Sequence, residues 1–222
     1  LPTPLLMKTM DLYIIINHYF LGDFNEFLDN KDAVFHLGAA YSSSNENGNV
    51  GAFKVRSEGR GADVFTTNGF TALSATNKGY DLDRTGLEAA VAYGPVKFQS
   101  EYMKAEFKPD GNTALVTGAA AGKNYDVNAW YASLNWMITG ENYADTYKNG
   151  LFGGRTKPKN DFTGTGSGWG AWEIGARLSK FDGSDFSSAQ TNSSVTTPAT
   201  VGEYNEAKSY TVGLKFIPNP NV

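Results

Sequence analysis

Seven basic residues fall on one side of alternating segments of this 222-residue chain: Lys54, Arg56, Arg60, Arg84, Lys97, Arg177 and Lys215. Side chains alternate sides along a strand, so residues two apart share a face. Four acids, Glu58, Glu88, Glu101 and Glu173, fall on the same side. That face carries three more positive than negative charges, whereas the whole chain has a formal net charge of −4. Cations gathered on one surface can draw in a small anion and hold it as it sheds water. A second basic group occupies a connection instead of a strand: Lys148, Arg155, Lys157 and Lys159 follow one another with no acid between them. Arg155 offers the planar fork that grips an oxyanion at two points, while a lysine acts as a point charge. Both groups have a plainer reading. Glu88, Glu101 and Glu173 suit cross-strand ion pairs, and the basic connection suits a solvated loop.

Other chemistries lack their parts. His18 and His36 are the only histidines and there is no cysteine, so neither a zinc site nor a disulfide framework is expected. His36 reads as a packing or lining residue. Residues 164–170, GTGSGWG, lack the third glycine of a dinucleotide-binding turn, and no strand–helix context surrounds them. Asp81 and Asp83 read as loop carboxylates flanking a strand start, not calcium ligands. No nucleophile–base set can be assembled, so an enzyme is not expected, and no cofactor is implied. The acidic balance argues against nucleic acid as a partner.

The elements that must position the basic residues are strands. In residues 85–104, TGLEAAVAYGPVKFQSEYMK, Leu87, Ala89, Val91 and Tyr93 share a face before the Gly94–Pro95 turn. Val96, Phe98, Ser100 and Tyr102 share one after it, and the opposite faces are small or charged. Seven such segments are expected, at 33–43, 50–60, 80–93, 96–107, 125–139, 170–182 and 207–217. Most are long enough to cross a bilayer as tilted strands. Tyr41, Tyr93, Tyr102, Trp130, Trp136, Trp172 and Phe216 sit at stripe ends, as rings do in interfacial girdles. The tight turn at 94–95 and the long polar stretches at 61–79, 108–124 and 183–206 give the asymmetry of a transmembrane β-barrel. Aromatics at 14% and charged residues at 19% fit apolar side chains dealt out singly along strands. The alternative is a soluble or surface-associated β-sandwich, whose apolar stripe would pack against a second sheet.

From Asp29 onward the chain resembles the phosphate-selective porin O and P family of bacterial outer membranes. The resemblance lies in DAVFHLGAAYS (32–42), GLEAAVAYGPVKFQSEYMKAEF (86–107), YASLNWMITGE (131–141), LFGGRTKPKNDF (151–162), GWGAWEIGARLSKFD (168–182) and YTVGLKFIPNPNV (210–222). It implies an all-β, sixteen-stranded antiparallel transmembrane barrel assembled as a homotrimer in the outer-membrane lipid. It also implies a pore that conducts small anions such as phosphate. The family's long turn folds into its barrel, which makes 141–168 a basic constriction element on the periplasmic side with the 94–95 turn. The seven or eight strands present are about half of such a barrel. Residues 1–28 resemble none of its strands and lack the features of a cleavable leader, so the expected barrel segment is 29–222 of an incomplete or mature chain.

Overall fold

A computed structural model describes residues 30–46, 51–56, 63–70, 79–116, 118–148, 150–166, 168–187, 190–191 and 205–221. Its principal feature is a six-stranded antiparallel sheet in the order β1-β4-β5-β6-β9-β10. These strands are β1 (Ala33–Asn45), β4 (Tyr80–Tyr93), β5 (Val96–Pro109), β6 (Tyr125–Met137), β9 (Ala171–Asp182) and β10 (Glu206–Ile217). The sheet is open, with β1 and β10 outermost. Two small hairpins accompany it: β2 (Lys54–Arg56) with β3 (Asp63–Thr66), and β7 (Tyr147–Lys148) with β8 (Leu151–Phe152). A 3₁₀ turn, Tyr143–Thr146, precedes β7.

The Gly94–Pro95 turn fixes the register of the wall. Tyr93 pairs with Val96, and Gly94 has φ 52°. A positive φ at the first position of a two-residue turn is what the II′ geometry requires and what glycine supplies. From that point the pairing runs without a bulge to Tyr80 opposite Pro109. This end of the sheet, the hairpin end, also holds the connection 138–170. The connections 46–79, 110–124 and 183–205 gather at the other, the loop end.

The two faces of the sheet differ in what lies over them. One carries Leu87, Val91, Tyr93, Val96, Phe98, Leu134, Trp136, Ile174, Val212 and Leu214, all exposed. The described residues leave this face bare apart from Phe162, whose ring meets Phe216 edge-on at 5.4 Å. The opposite face, rich in small and charged residues, is the covered one. At the loop end Phe65, Phe70, Leu115, Val116 and Phe186 from the connections pack onto Tyr80, Leu82, Phe107, Tyr125, Val127 and Phe181 of the wall. Phe65 stacks against Phe181 at 5.1 Å, and Tyr125 against Phe186 at 4.7 Å. At the hairpin end Tyr143 packs onto Val34, Ala92 and Met137, with Tyr147 and Phe152 beside it. The core therefore lies on the face that alternation would call polar.

One expected wall strand is not one. Of the expected strand 50–60, the described residues 51–56 contribute only the three-residue β2, which pairs with β3 and lies outside the six-stranded sheet. A hairpin lying on an apolar patch alternates just as a wall strand does. Phe53 and Val55 pack against the aromatic cluster, and this leaves Lys54 and Arg56 exposed. Asp81 and Asp83 also differ from the loop reading: both lie within β4, and Asp83 accepts a 2.7 Å bond from Lys108 of β5.

Candidate functional site: the covered face

Cross-strand pairing places each charged residue. On the covered face Ala92 pairs with Lys97, Lys97 with Asn135, and Asn135 with Gly175. One step toward the loop end, Gln99 pairs with Ser133, Ser133 with Arg177, and Arg177 with Thr211. One step toward the hairpin end, Glu173 pairs with Lys215. Arg84 stands on the same face nearer the loop end, opposite Ala105 and Ser42. Four of the seven basic residues thus belong to the wall of the described sheet. Lys54 and Arg56 sit instead on β2, where both lie near Asp63, at 3.6 and 3.4 Å. Arg60 and Glu58 lie outside the described residues.

The wall's covered face holds these four bases against Glu88, Glu101 and Glu173, so its net charge is one positive. Position matters more than the total. Glu88 and Glu101 face each other directly on β4 and β5. The Glu88 side chain lies across Gly38 of β1, where any Cβ would collide with its carboxylate. It is engaged there by His36 Nε2 at 3.0 Å. The bases Lys97, Arg177 and Lys215 lie on β5, β9 and β10, with Glu173 among them. Asn135 donates to Glu173 at 2.8 Å.

Rings hold two of these cations in place. The Arg177 guanidinium lies 3.9 Å from the Tyr131 ring centroid. The Lys97 ammonium sits 4.9 Å from both the Tyr143 and the Phe152 rings. Cation–π attraction of this kind contributes about 0.5–2 kcal/mol and restricts a long side chain without neutralising it. Tyr143 is buried, and burial followed by the neighbouring Glu173 carboxylate pushes its phenol well above the ordinary range. It stays neutral.

Two larger cavities on this face adjoin one another. The upper, of about 360 Å³, lies between the β2–β3 hairpin and the wall and includes Arg56, Glu101, Tyr131 and Arg177. The lower, of about 380 Å³, includes Lys97, Arg177, Lys215 and Glu173. Arg177 lines both.

The long connection folds partly onto this face. Its first half, through Phe152, packs over the hairpin end, and His36 Nδ1 shares a 2.8 Å hydrogen bond with the Tyr147 hydroxyl. Tyr147→Phe removes that bond while keeping the ring contact with Phe152 at 5.0 Å. Its loss is expected to cost about 1 kcal/mol locally. The expected outcome is a looser turn and noisier single-channel current, measured in planar bilayers with the barrel's melting temperature shifted by only a few degrees.

The basic residues of this connection lie elsewhere. Lys148, Arg155, Lys157 and Lys159 are all exposed. Lys159 is set at the rim by its backbone N–H, which donates to Glu141 Oε1 at 3.1 Å. The second half of the connection turns toward the bare face, where the Phe162 N–H donates to Pro218 O at 2.8 Å. The residues packed onto the wall are therefore the aromatics Tyr143, Tyr147 and Phe152, which a search for charge does not find. Tyr131 and Asn135 share a stripe with Ser133 in the sequence, and that alternation was the signal for their position.

Comparison with known proteins agrees with this architecture. A search of curated proteins finds no match. A model of the phosphate-selective porin O and P family matches residues 27–222, which includes every strand described above. With an open all-β wall, an apolar face left bare and connections folded onto the other, the chain belongs to the phosphate-selective porin O and P family.

Proposed function

We propose that the covered face lines a passive outer-membrane pore for small anions such as phosphate, and that the bare face meets lipid. The observation that carries this reading is the pair of adjoining cavities linked by Arg177. They form a track of Arg56, Arg177, then Lys97 and Lys215 down the wall. An anion moving along it would exchange one cation for the next without a step into an uncharged stretch, as conduction through several moderate sites requires. Glu88 lies to one side, bonded to His36. Arg84 extends the positive charge toward the loop end.

Family membership supports the rest of the reading. The short-turn end of a barrel of this kind faces the periplasm, so 94–95 and 138–170 would be periplasmic. A homotrimer of closed barrels, each with more strands than the six described, follows from the family alone. A porin is a channel and not an enzyme.

The soluble-sandwich alternative meets an obstacle in the bare face. A sandwich hides its apolar stripe between sheets, whereas here Tyr210 and Val212 are 78% and 77% exposed and the polar face is the covered one. Exposed apolar surface on this scale marks a lipid or protein contact.

The positions of Lys148, Arg155, Lys157 and Lys159 give them a different weight from the wall cations. We assign them to the periplasmic mouth. Neutralising Arg155, Lys157 and Lys159 together is expected to lower anion preference by about twofold at low salt, with the effect vanishing near 1 M, because exposed charges are screened within about 3 Å there. Reversal potentials across a salt gradient measure this. An unchanged potential at low salt would remove them from the conduction path.

A further inference from the structure

The lower cavity has a composition that attraction of anions does not explain. Lys97, Lys215 and Arg177 surround a floor that includes Gly175 and Gly213, yet a carboxylate, Glu173, shares the same space. Glu173 lies opposite Lys215 in the register, but neither takes part in any of the ion pairs within 4 Å among the described residues. The described hydrogen-bond donor to Glu173 is the neutral Asn135 amide, at 2.8 Å, while the Lys97 ammonium acts on it electrostatically from across the cavity without a direct ion pair. Asn135 thus orients the carboxylate within the cavity without discharging it. An ionised carboxylate has about four acceptor positions and no donor, so acceptor capacity remains beyond these neighbours.

Resting on the anion-pore reading above, we propose that Glu173 is a specificity-determining residue that favours oxyanions still carrying a proton. Inorganic phosphate near neutral pH keeps at least one P–OH group, and that hydroxyl can donate to Glu173. The remaining phosphate oxygens accept from Lys97, Lys215 and Arg177, with Ser133 and Thr211 on the same rows of the wall. Sulfate has the same shape and no proton. Against Glu173 it sets oxygen lone pairs beside a negative carboxylate with no hydrogen between them. Discrimination then comes from a repulsive element aimed at the wrong ligand, which separates near-isosteres better than added attraction does. The cations draw both ions in, and the carboxylate distinguishes them.

The test is inhibition of chloride current through the intact protein in planar bilayers, with inorganic phosphate or inorganic sulfate added at equal charge and ionic strength. The expected result is that phosphate inhibits at a concentration at least about tenfold lower than sulfate. Glu173→Gln, which can donate as well as accept, is expected to bring the two within about twofold. Glu173→Asp, which keeps the carboxylate, is expected to retain most of the preference and guards against a Gln variant that does not assemble. Equal inhibition by the two ions in the unaltered protein would overturn the proposal while leaving an anion pore intact. So would an undiminished phosphate preference in assembled Glu173→Gln channels. A cation-selective pore would overturn the anion reading and the proposal with it.

Discussion

Reversing Lys97, Arg177 and Lys215 together to glutamate is expected to turn the pore from anion-preferring to cation-preferring. The described wall carries four bases and three acids on its covered face, so these three changes take its net charge from one positive to five negative. A unit charge about 8 Å from a passing ion contributes about 2 kcal/mol at an effective dielectric near 20. Salt at physiological strength screens exposed charges over about the same distance, which leaves each reversal worth several-fold in the permeability ratio. The sign of the reversal potential in a potassium chloride gradient reads the result. Retained anion preference in assembled triple-variant channels would place the selectivity outside this track. The folding cost should be small, because Arg177 and Lys215 are exposed.

The second large effect is on assembly, and it separates the two faces by one residue. Leu134 and Ser133 are neighbours on β6. Leu134 stands on the bare face, 54% exposed, in the row shared with Phe98 and Ala176. Ser133 stands on the covered face between Gln99 and Arg177. An arginine near the middle of the lipid-facing band of a barrel costs about 2–4 kcal/mol, while a lumen position bears none of that. Leu134→Arg is therefore expected to reduce folding into vesicles by that amount. Ser133→Arg should fold nearly as well as the parent and alter conductance. Denaturant titration of the protein refolded into lipid vesicles measures both. Equal costs at the two sites would mean that neither face meets lipid.

Much of this wall was legible in the sequence because its two faces carry different chemistry. A stretch such as 172–178, with Trp172, Ile174, Ala176 and Leu178 against Glu173 and Arg177, can take only one register if lipid lies on one side. Six of the seven expected strands are found within a few residues of their expected limits. β5 runs on to Pro109 because Lys108 reaches across to Asp83 and gives the polar end of the strand a partner. The seventh failed for a physical reason. Alternation reports that one side of a segment is apolar, not what that side faces, so β2 resting on Phe107 through Phe53 reads like a wall strand. The two rings are 5.3 Å apart. Its shortness and the polar run that follows it were the available signals. Phe65 and Phe70, within a stretch read as polar loop, pointed the same way.

The candidate site was legible only in part. Alternation placed Arg84, Lys97, Arg177 and Lys215 on one face, but it could not show that Tyr131 holds Arg177 or that two cavities meet there. Those depend on neighbours across strands and on folded connections, which sequence spacing does not encode. The basic run 148–159 drew attention by charge, whereas the contacts that bring this connection over the wall are aromatic. Tyr143 and Phe152 hold Lys97 in place from that connection, while Arg155 and Lys157 stay exposed. Wall and turn together shape the lower cavity.

The most direct test is the reversal potential of the unaltered protein in a planar bilayer across a tenfold potassium chloride gradient. The sign expected is that of chloride carrying most of the current, strongest at low salt and reduced by added phosphate. A potential of the opposite sign, or no channel activity from protein that remains a compact monomer without detergent, would contradict the assignment of the covered face to an anion path.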